Sequence, residues 1–435
     1  MARPAAGVVI VAAICAFFSS CSDRLGAASR GEFSVRTLAT GSSDFAFERR
    51  VFENFGRRQG LHVQTYQAFS TINEHLEEDL ESLREKSPDP DIYEIDVIWP
   101  GILAGYLVDL RQWLSADEIA AFAPELIRSF TVGGKLIALP FTYDRALLYY
   151  RSDLLRKYGF HGPPRTWDEL DSMAGVIQRG ERKAGNRDFW GYVWQGSASE
   201  ALVCNALEWQ VSEGGGQIIE PDGRINVCSP AGIRSLERAA SWVGRISPPG
   251  VVAYTEEDCV NVWLAGNAAF MRNWVYPYGA IRSPSSAIHD KVEVTQLPAG
   301  EYRRATTNGT MGIGVSLYSR NIPRAVAALR ELTNESTQRD RAVQLGQIPT
   351  RTSLLRDASV MSATPLYELT GNHGWELADS IDRPSTAAGP RYAQISKAYS
   401  SAVQSVLMRQ TSAASAMQRL QSELGRIPGL QGRAR

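Results

Sequence analysis

At 435 residues with 44% hydrophobic content, the chain is long enough for two or three globular domains with sizeable cores. A formal net charge of -1, with no basic run interleaved with aromatics, offers nothing to a polyanion, and no nucleic-acid partner is expected.

The N-terminus reads as an address. Arg3 precedes an uncharged stretch from Ala5 to Phe18 that ends in "FFSSCSD". About 14 apolar residues are too few to span a bilayer comfortably and fit the apolar region of a signal peptide, placed at residues 1–21. Ser19, Ser20 and Cys21 resemble a bacterial lipobox, in which the cysteine is lipidated and becomes the first mature residue. Phe18 stands where Leu is usual, so secretory cleavage without a lipid is the other reading. Either way the protein is exported, and no later segment is long and apolar enough to be a second anchor. Export permits disulfides. With Cys15 in the leader, Cys204, Cys228 and Cys259 form either one bridge and a free thiol or three small buried hydrophobes. Their spacings fit no zinc pattern, and neither a metal nor a cofactor is expected.

From Glu32 onward "FSVRTLA" alternates as a strand. "SSDFAFERRVFENFGRRQG" then sets Phe47, Val51 and Phe55 on one helical face, with Ser43 or Asp44 as cap and Gly56 or Gly60 as stop. "LHVQTYQAF" is a second strand and "INEHLEEDLESLREK" an amphipathic helix. "DIYEIDVIWPG" follows as a buried strand with Asp96 inside its apolar run and Trp99 closing it. This β-α-β-α-β order predicts a parallel sheet with right-handed crossovers and ligands at the carboxyl ends of the strands, which sets Asp96 and Trp99 at a ligand rim. "GKLIALPFTYDRALLYYRSDLL" holds two apolar strands joined through Thr142, Tyr143 and Asp144, too short a join for a helical crossover. "TWDELDSMAGVIQRG" is a helix with Thr166 and Glu169 as a capping box. The stretch from about Tyr392 to Leu424 reads as helical throughout.

Signatures of catalysis are missing: there is no HExxH, GxSxG, Walker A loop or strand-borne GxGxxG, and the five histidines show no i, i+4 pair. A glycosidase using two carboxylates remains open, because its acids can lie far apart in sequence. Aromatics placed beside short polar groups are abundant, as in "FMRNWVYPYG", "FWGYVWQG" and "TYD". Such pairs suit sugars: the ring C–H face packs on the π-system while hydroxyls donate to an ionised carboxylate. For a single Trp, core packing is the stronger expectation. Trp274 and Tyr276 read as a binding surface, because Arg272, Asn273 and Pro277 make that stretch a poor buried strand.

These stretches, with "RTWDEL", "CNALEWQVSEGGG", "GNAAFMRNW" and "GQIPTRTSLLRD", resemble the substrate-binding lipoproteins of bacterial ABC sugar importers, nearest the trehalose and maltose branch, from about residue 33 to 400. The resemblance implies an α/β, two-lobed periplasmic binding protein fold with a hinge and an interlobe ligand cleft. It divides the chain into residues 32–142 plus about 306–350 for one lobe and 143–305 plus about 351–430 for the other. It implies that Asp44 and Asp96 accept sugar hydroxyls, Tyr143 and Asp144 contact the ligand at the hinge, Trp274 and Tyr276 stack on it, and Arg383 donates to it, with Arg391 as the rival arginine. Capping alone for Asp44, and a hinge ion pair with Arg145 or Arg151 for Asp144, are the competing roles. Relatives often carry Gly-Gly-Trp where this chain has Gly309, Thr310 and Met311, so Met311 takes the position of a stacking ring.

The expectation is therefore a receptor without enzymatic activity, a monomer anchored by lipid at the outer face of the cytoplasmic membrane or in the periplasm. It captures a disaccharide of trehalose or maltose type for ABC permease subunits. An exported carbohydrate-active enzyme, or a receptor for a polyol or other small solute, is the alternative.

Overall fold

Phe33 and Val35 point into the first core from a strand whose other face meets a helix, and that alternation starts the fold. The computed structural model describes residues 32–38, 42–67, 72–220, 222–363 and 379–430; the leader, Cys15 and Cys21 lie outside them. In chain order the strands are β1 (Glu32–Thr37), β2 (His62–Gln67), β3 (Ile92–Asp96), a small hairpin of β4 (Thr131–Val132) and β5 (Lys135–Leu136), then β6 (Leu139–Thr142), β7 (Leu147–Arg151) and β8 (Trp190–Val193). After them come β9 (Ala268–Asn273), β10 (Val292–Thr295), β11 (Thr306–Thr307), β12 (Met311–Val315) and β13 (Ser380–Ile381).

Two sheets carry the molecule, ordered β2-β1-β3-β12-β6 and β10-β7-β9-β8. The first is parallel across β2, β1 and β3, as the alternating order predicted, but β12 runs antiparallel to both β3 and β6, so the sheet is mixed. The reason is topological: β12 returns to this sheet after the chain has built the second one. Its register sets Met311 opposite both Asp96 and Thr142. In the second sheet β7 pairs antiparallel with β9, and β9 parallel with β8.

The chain leaves the first sheet at residues 143–146, joining β6 to β7 of the second, and re-enters it at residues 308–310, joining β12 to β11, which pairs with β13 in a separate two-stranded sheet. Arg145 bridges to Asn308, which holds the two passages side by side, and Tyr143 bridges to Ile348 of a third segment.

Several local expectations are corrected. The first helix spans Ser42–Gln59, so Ser43 and Asp44 lie in its first turn and not at its cap. Gly56 is inside that helix, where a Cβ would stand 2.5 Å from Val63; Gly60, at φ +66°, follows the helix and takes the left-handed turn. Thr166 accepts from the Glu169 amide, but the Glu169 carboxylate takes the Arg165 amide, so the box is only half made. The C-terminal stretch breaks into helices Tyr392–Leu407 and Ala413–Leu424, with Arg409 at φ +58° in the turn.

Trp99 is fully buried, stacked on His75 with ring centroids 5.8 Å apart, so it fills the core beneath the rim. In the second lobe Trp194, Trp209, Trp242 and Trp167 meet in sequence at 5.1, 5.7 and 5.8 Å. The "FWGYVWQG" aromatics are accordingly a core device, with Tyr192 and Trp194 at 0% exposure. Cys204, Cys228 and Cys259 are all free thiols, which removes the disulfide; Cys204 and Cys259 are the expected buried hydrophobes, whereas Cys228 is only half-buried.

Candidate functional site

The two passages between the sheets and the strand ends beside them gather most of the residues singled out from sequence. Asp96 ends β3 in the first sheet. Its Oδ1 accepts the Ile98 amide at 3.0 Å and faces the Arg383 guanidinium at 3.6 Å. Burial pushes the carboxyl above its ordinary value and Arg383 pulls it back.

Arg383 is itself buried, and it reaches both lobes. Nη1 donates to Glu200 at 2.9 Å and Nη2 to the Asn308 carbonyl at 2.8 Å, while Nε is buried with no acceptor among the described residues. Glu200, at the start of helix Glu200–Ser212, also accepts from the hydroxyls of Tyr392 and Ser396. Arg391 lies elsewhere, against Gly429 near the C-terminal helices. Met311, half-buried, sits across from Asp96 on β12.

Asp144 occupies the other side of the passage. Its Oδ1 accepts the amides of Arg145 and Val275, both at 2.7 Å, and its carbonyl accepts the Gly309 amide at 2.9 Å. Among the described residues no donor reaches Oδ2. The competing role for Asp144, an ion pair with Arg145 or Arg151, does not form; Arg151 is spent on Asp153 at 2.7 Å. Burial pushes the Asp144 carboxyl up to about 7, against the pull of the two amides and of Arg272.

Asp44 is close enough for its charge to contribute to that rise. It is buried in the first turn of helix Ser42–Gln59 and is pushed up to about 6 by burial, with Arg341 as the main opposing influence. Arg341 is held by Glu48 at 2.7 Å and by Gln347. Behind them Glu94 accepts the Leu38 amide, and burial together with the Glu48 charge keeps its carboxyl well above the usual range. Tyr143, 3% exposed, packs along the same passage, its amide donating to Ile348 at 3.2 Å.

Trp274 and Tyr276 emerge just after β9. The expectation that Arg272 and Asn273 make this a poor buried strand is overturned: both are at 0% exposure. Arg272 is tolerated there because Glu208 takes it bidentately at 2.6 and 3.1 Å, with Gln195 accepting at 3.2 Å. Glu208 also accepts from the Thr307 amide and hydroxyl, so the acid side of the pair is fully hydrogen-bonded. The guanidinium lies 4.2 Å from the Trp274 ring centre, a cation–π contact that fixes the indole from behind.

Gly309 touches the edge of that ring: a Cβ there would be 2.8 Å from Trp274 Cζ3. Trp274 Nε1 points at Glu256 Oε1 at 3.4 Å, and the Tyr276 hydroxyl donates to Glu257 at 3.0 Å. Sequence reasoning missed Glu256, Glu200, Glu208 and Arg341, since each reads locally as an ordinary helix or strand residue.

Chemically, the site offers acceptors in excess of free cations, one well-supported indole face, and a position astride two sheets. That is what a small neutral polyhydroxy ligand requires. Relatives agree with this architecture. The profile of the bacterial extracellular solute-binding proteins matches residues 50–367. A probable ABC transporter-binding protein of Deinococcus radiodurans is 40% identical over 93% of this chain and 96% of its own. The chain therefore belongs to the bacterial extracellular solute-binding protein family, the binding components of ABC transporters.

Among solved structures, maltose-bound MalE3 of T. maritima superposes with a TM-score of 0.84 at 31% identity, covering 91% of this chain and 99% of that one. A ribitol-bound solute-binding protein of Agrobacterium radiobacter gives 0.77 at 20% identity, covering 91% and 98%. The fold is thus the two-lobed one of that family. Among the described residues no helix is long and apolar enough to cross a membrane.

Proposed function

We propose that the protein is the extracytoplasmic receptor of an ABC importer and that it takes a neutral disaccharide of trehalose or maltose type between its lobes for delivery to the permease. The observation that carries this reading is Asp144: one carboxylate oxygen is pinned by two amides, the other has no donor among the described residues, and the arginine-backed Trp274 stands beside it. Asp44 and Asp96 supply acceptors from the first lobe, Tyr143 lines the hinge, Tyr276 extends the aromatic surface, and Arg383 joins the lobes behind the ligand. Met311 gives this lobe a flexible thioether in place of a ring, so stacking falls mainly on Trp274.

On this reading residues 32–142 with about 306–350 and residues 143–305 with about 351–430 close as two bodies about residues 143–146 and 308–310. Cys21 carries the lipid, and the mature chain acts as a monomer at the outer face of the cytoplasmic membrane. The maltose bound by the T. maritima neighbour, at 31% identity, supports the choice of ligand class.

Thermal unfolding of the protein with trehalose, maltose, sucrose and a polyol series at millimolar concentration tests the reading. A ligand present at 100 times its dissociation constant stabilises the folded state by about 2.7 kcal/mol, a shift of several degrees. One disaccharide should raise the melting temperature; a shift with a polyol alone reassigns the ligand, and no shift with any of them contradicts the proposal.

A further inference from the structure

Helix Glu256–Leu264 opens with three consecutive acids, and two of them have evident duties. Asp258 closes a capping box with Thr255, and Glu257 receives the Tyr276 hydroxyl at 3.0 Å. Glu256 does neither. Its side chain turns to the Trp274 indole, with Oε1 3.4 Å from Nε1, and its carbonyl accepts from Asn273 at 3.3 Å. Besides the indole, its own backbone amide is the one hydrogen-bond donor among the described residues that favours the ionised carboxylate.

An acid required only by the helix dipole would sit in water. Glu256 is half-buried instead, and burial raises its carboxyl above the ordinary 4.5. Arg272, the cation whose charge reaches Glu256, is already committed to Glu208, and among the described residues no ion pair forms with Glu256. Tyr276 feels the charges of Glu257, Glu256 and Asp144 together, which locates Glu256 on the same wall as the proposed sugar site.

We infer that Glu256 is a specificity-determining residue of that site: Oε1 fixes the swing of the Trp274 indole and Oε2 accepts a ligand hydroxyl. The inference rests on the receptor reading above and deepens it. With Asp144 on one side of the indole and Glu256 at its nitrogen, the second lobe presents two carboxylates to whatever stacks there. Such a wall selects sugars with free hydroxyls at both positions and rejects anionic counterparts such as uronic acids, because like charges in a closed cleft are not screened.

The test is calorimetric titration of the unaltered protein, Glu256→Gln and Glu256→Ala with the sugar that the unaltered protein binds, its monodeoxy analogues and its uronic acid counterpart, alongside melting curves. Glu256→Ala should lose at least about tenfold in affinity with an unchanged melting temperature, the loss expected for an unmatched hydroxyl. For one monodeoxy analogue the two proteins should bind alike, which identifies the hydroxyl. Glu256→Gln, which keeps an acceptor but not the charge, should recover part of the loss and narrow the discrimination against the uronic acid by about fivefold or more. Equal affinity in all three proteins, or an equal loss on every analogue, overturns the assignment and leaves the receptor standing. No sugar binding by the unaltered protein overturns the receptor reading and the assignment with it.

Discussion

Asp144 and Asp44 titrate in the range where an exported protein works, and the sign of the effect differs for ligand and for fold. Burial lifts them from the ordinary 3.8 to about 7 and about 6. A sugar hydroxyl donates to the ionised carboxylate, so binding should weaken as pH falls below about 7 and further below about 6. Stability runs the other way. A carboxyl whose folded pKa is raised contributes stability that is present below 3.8 and lost as pH rises through 6 to 7. The protein should therefore melt higher at pH 5 than at pH 8 while binding more weakly at pH 5. In Asp144→Asn, which keeps an acceptor for the two amides, the fall in affinity between pH 7 and 6 should disappear; its persistence would remove Asp144 from the site. Asp96→Ala should cost at least about tenfold in affinity, since it deprives a closed cleft of an acceptor. An unchanged dissociation constant would take Asp96 out as well. Asp96 was legible because a carboxylate inside an apolar strand demands a reason. Glu256 was not: the first of three consecutive acids at a helix start looks like ordinary dipole matching until its side chain is seen to face Trp274.

At the scale of elements, the Trp274 platform is a stack of buried parts drawn from distant strands and helices. Glu208 holds Arg272, Arg272 backs the indole, and Gly309 leaves room for its edge. Removing one member of a buried ion pair strands the other, which typically costs about 3–5 kcal/mol. Glu208→Gln should accordingly lower unfolding free energy by about 3 kcal/mol in denaturant titrations, and a change below about 1 kcal/mol would show that Arg272 finds other acceptors. Gly309→Ala forces a methyl into the 2.8 Å gap at Trp274 Cζ3, so the ring must move. Sugar affinity should fall by about tenfold with only a modest loss of stability; unchanged affinity would mean that the ring is not the platform. The individual strands and long helices were readable from periodicity, as β1, β2, β3 and helix Ile72–Arg84 show. What periodicity could not carry was pairing between remote segments: the register of β12 that sets Met311 against Asp96, and the Glu208–Arg272 contact that lets a charged strand be buried. The same gap explains why "FMRN" looked too polar for a core strand.

For the whole molecule, the two sheets communicate through residues 143–146 and 308–310 and through Arg383, which touches Asp96 in one lobe and Glu200 in the other. On the proposed reading, ligand and hinge share one neighbourhood: groups proposed to accept the sugar also bond the crossing segments, which would couple binding energy directly to lobe closure. Family resemblance made the two-lobed plan visible in advance: the join after Thr142 is too short for a helical crossover, and the resemblance marked it as the first hinge crossing. The proposed receptor would draw its affinity from a few charge-assisted hydrogen bonds and one indole face, enough for micromolar binding at about -8 kcal/mol after ordering costs. The most direct test is calorimetric titration of the purified protein with trehalose, maltose, sucrose and polyols, with product analysis of the same samples. The prediction is saturable one-to-one binding of a disaccharide at micromolar or tighter affinity and intact sugar at the end. Binding of none of these ligands, or monosaccharide released during the titration, would contradict it.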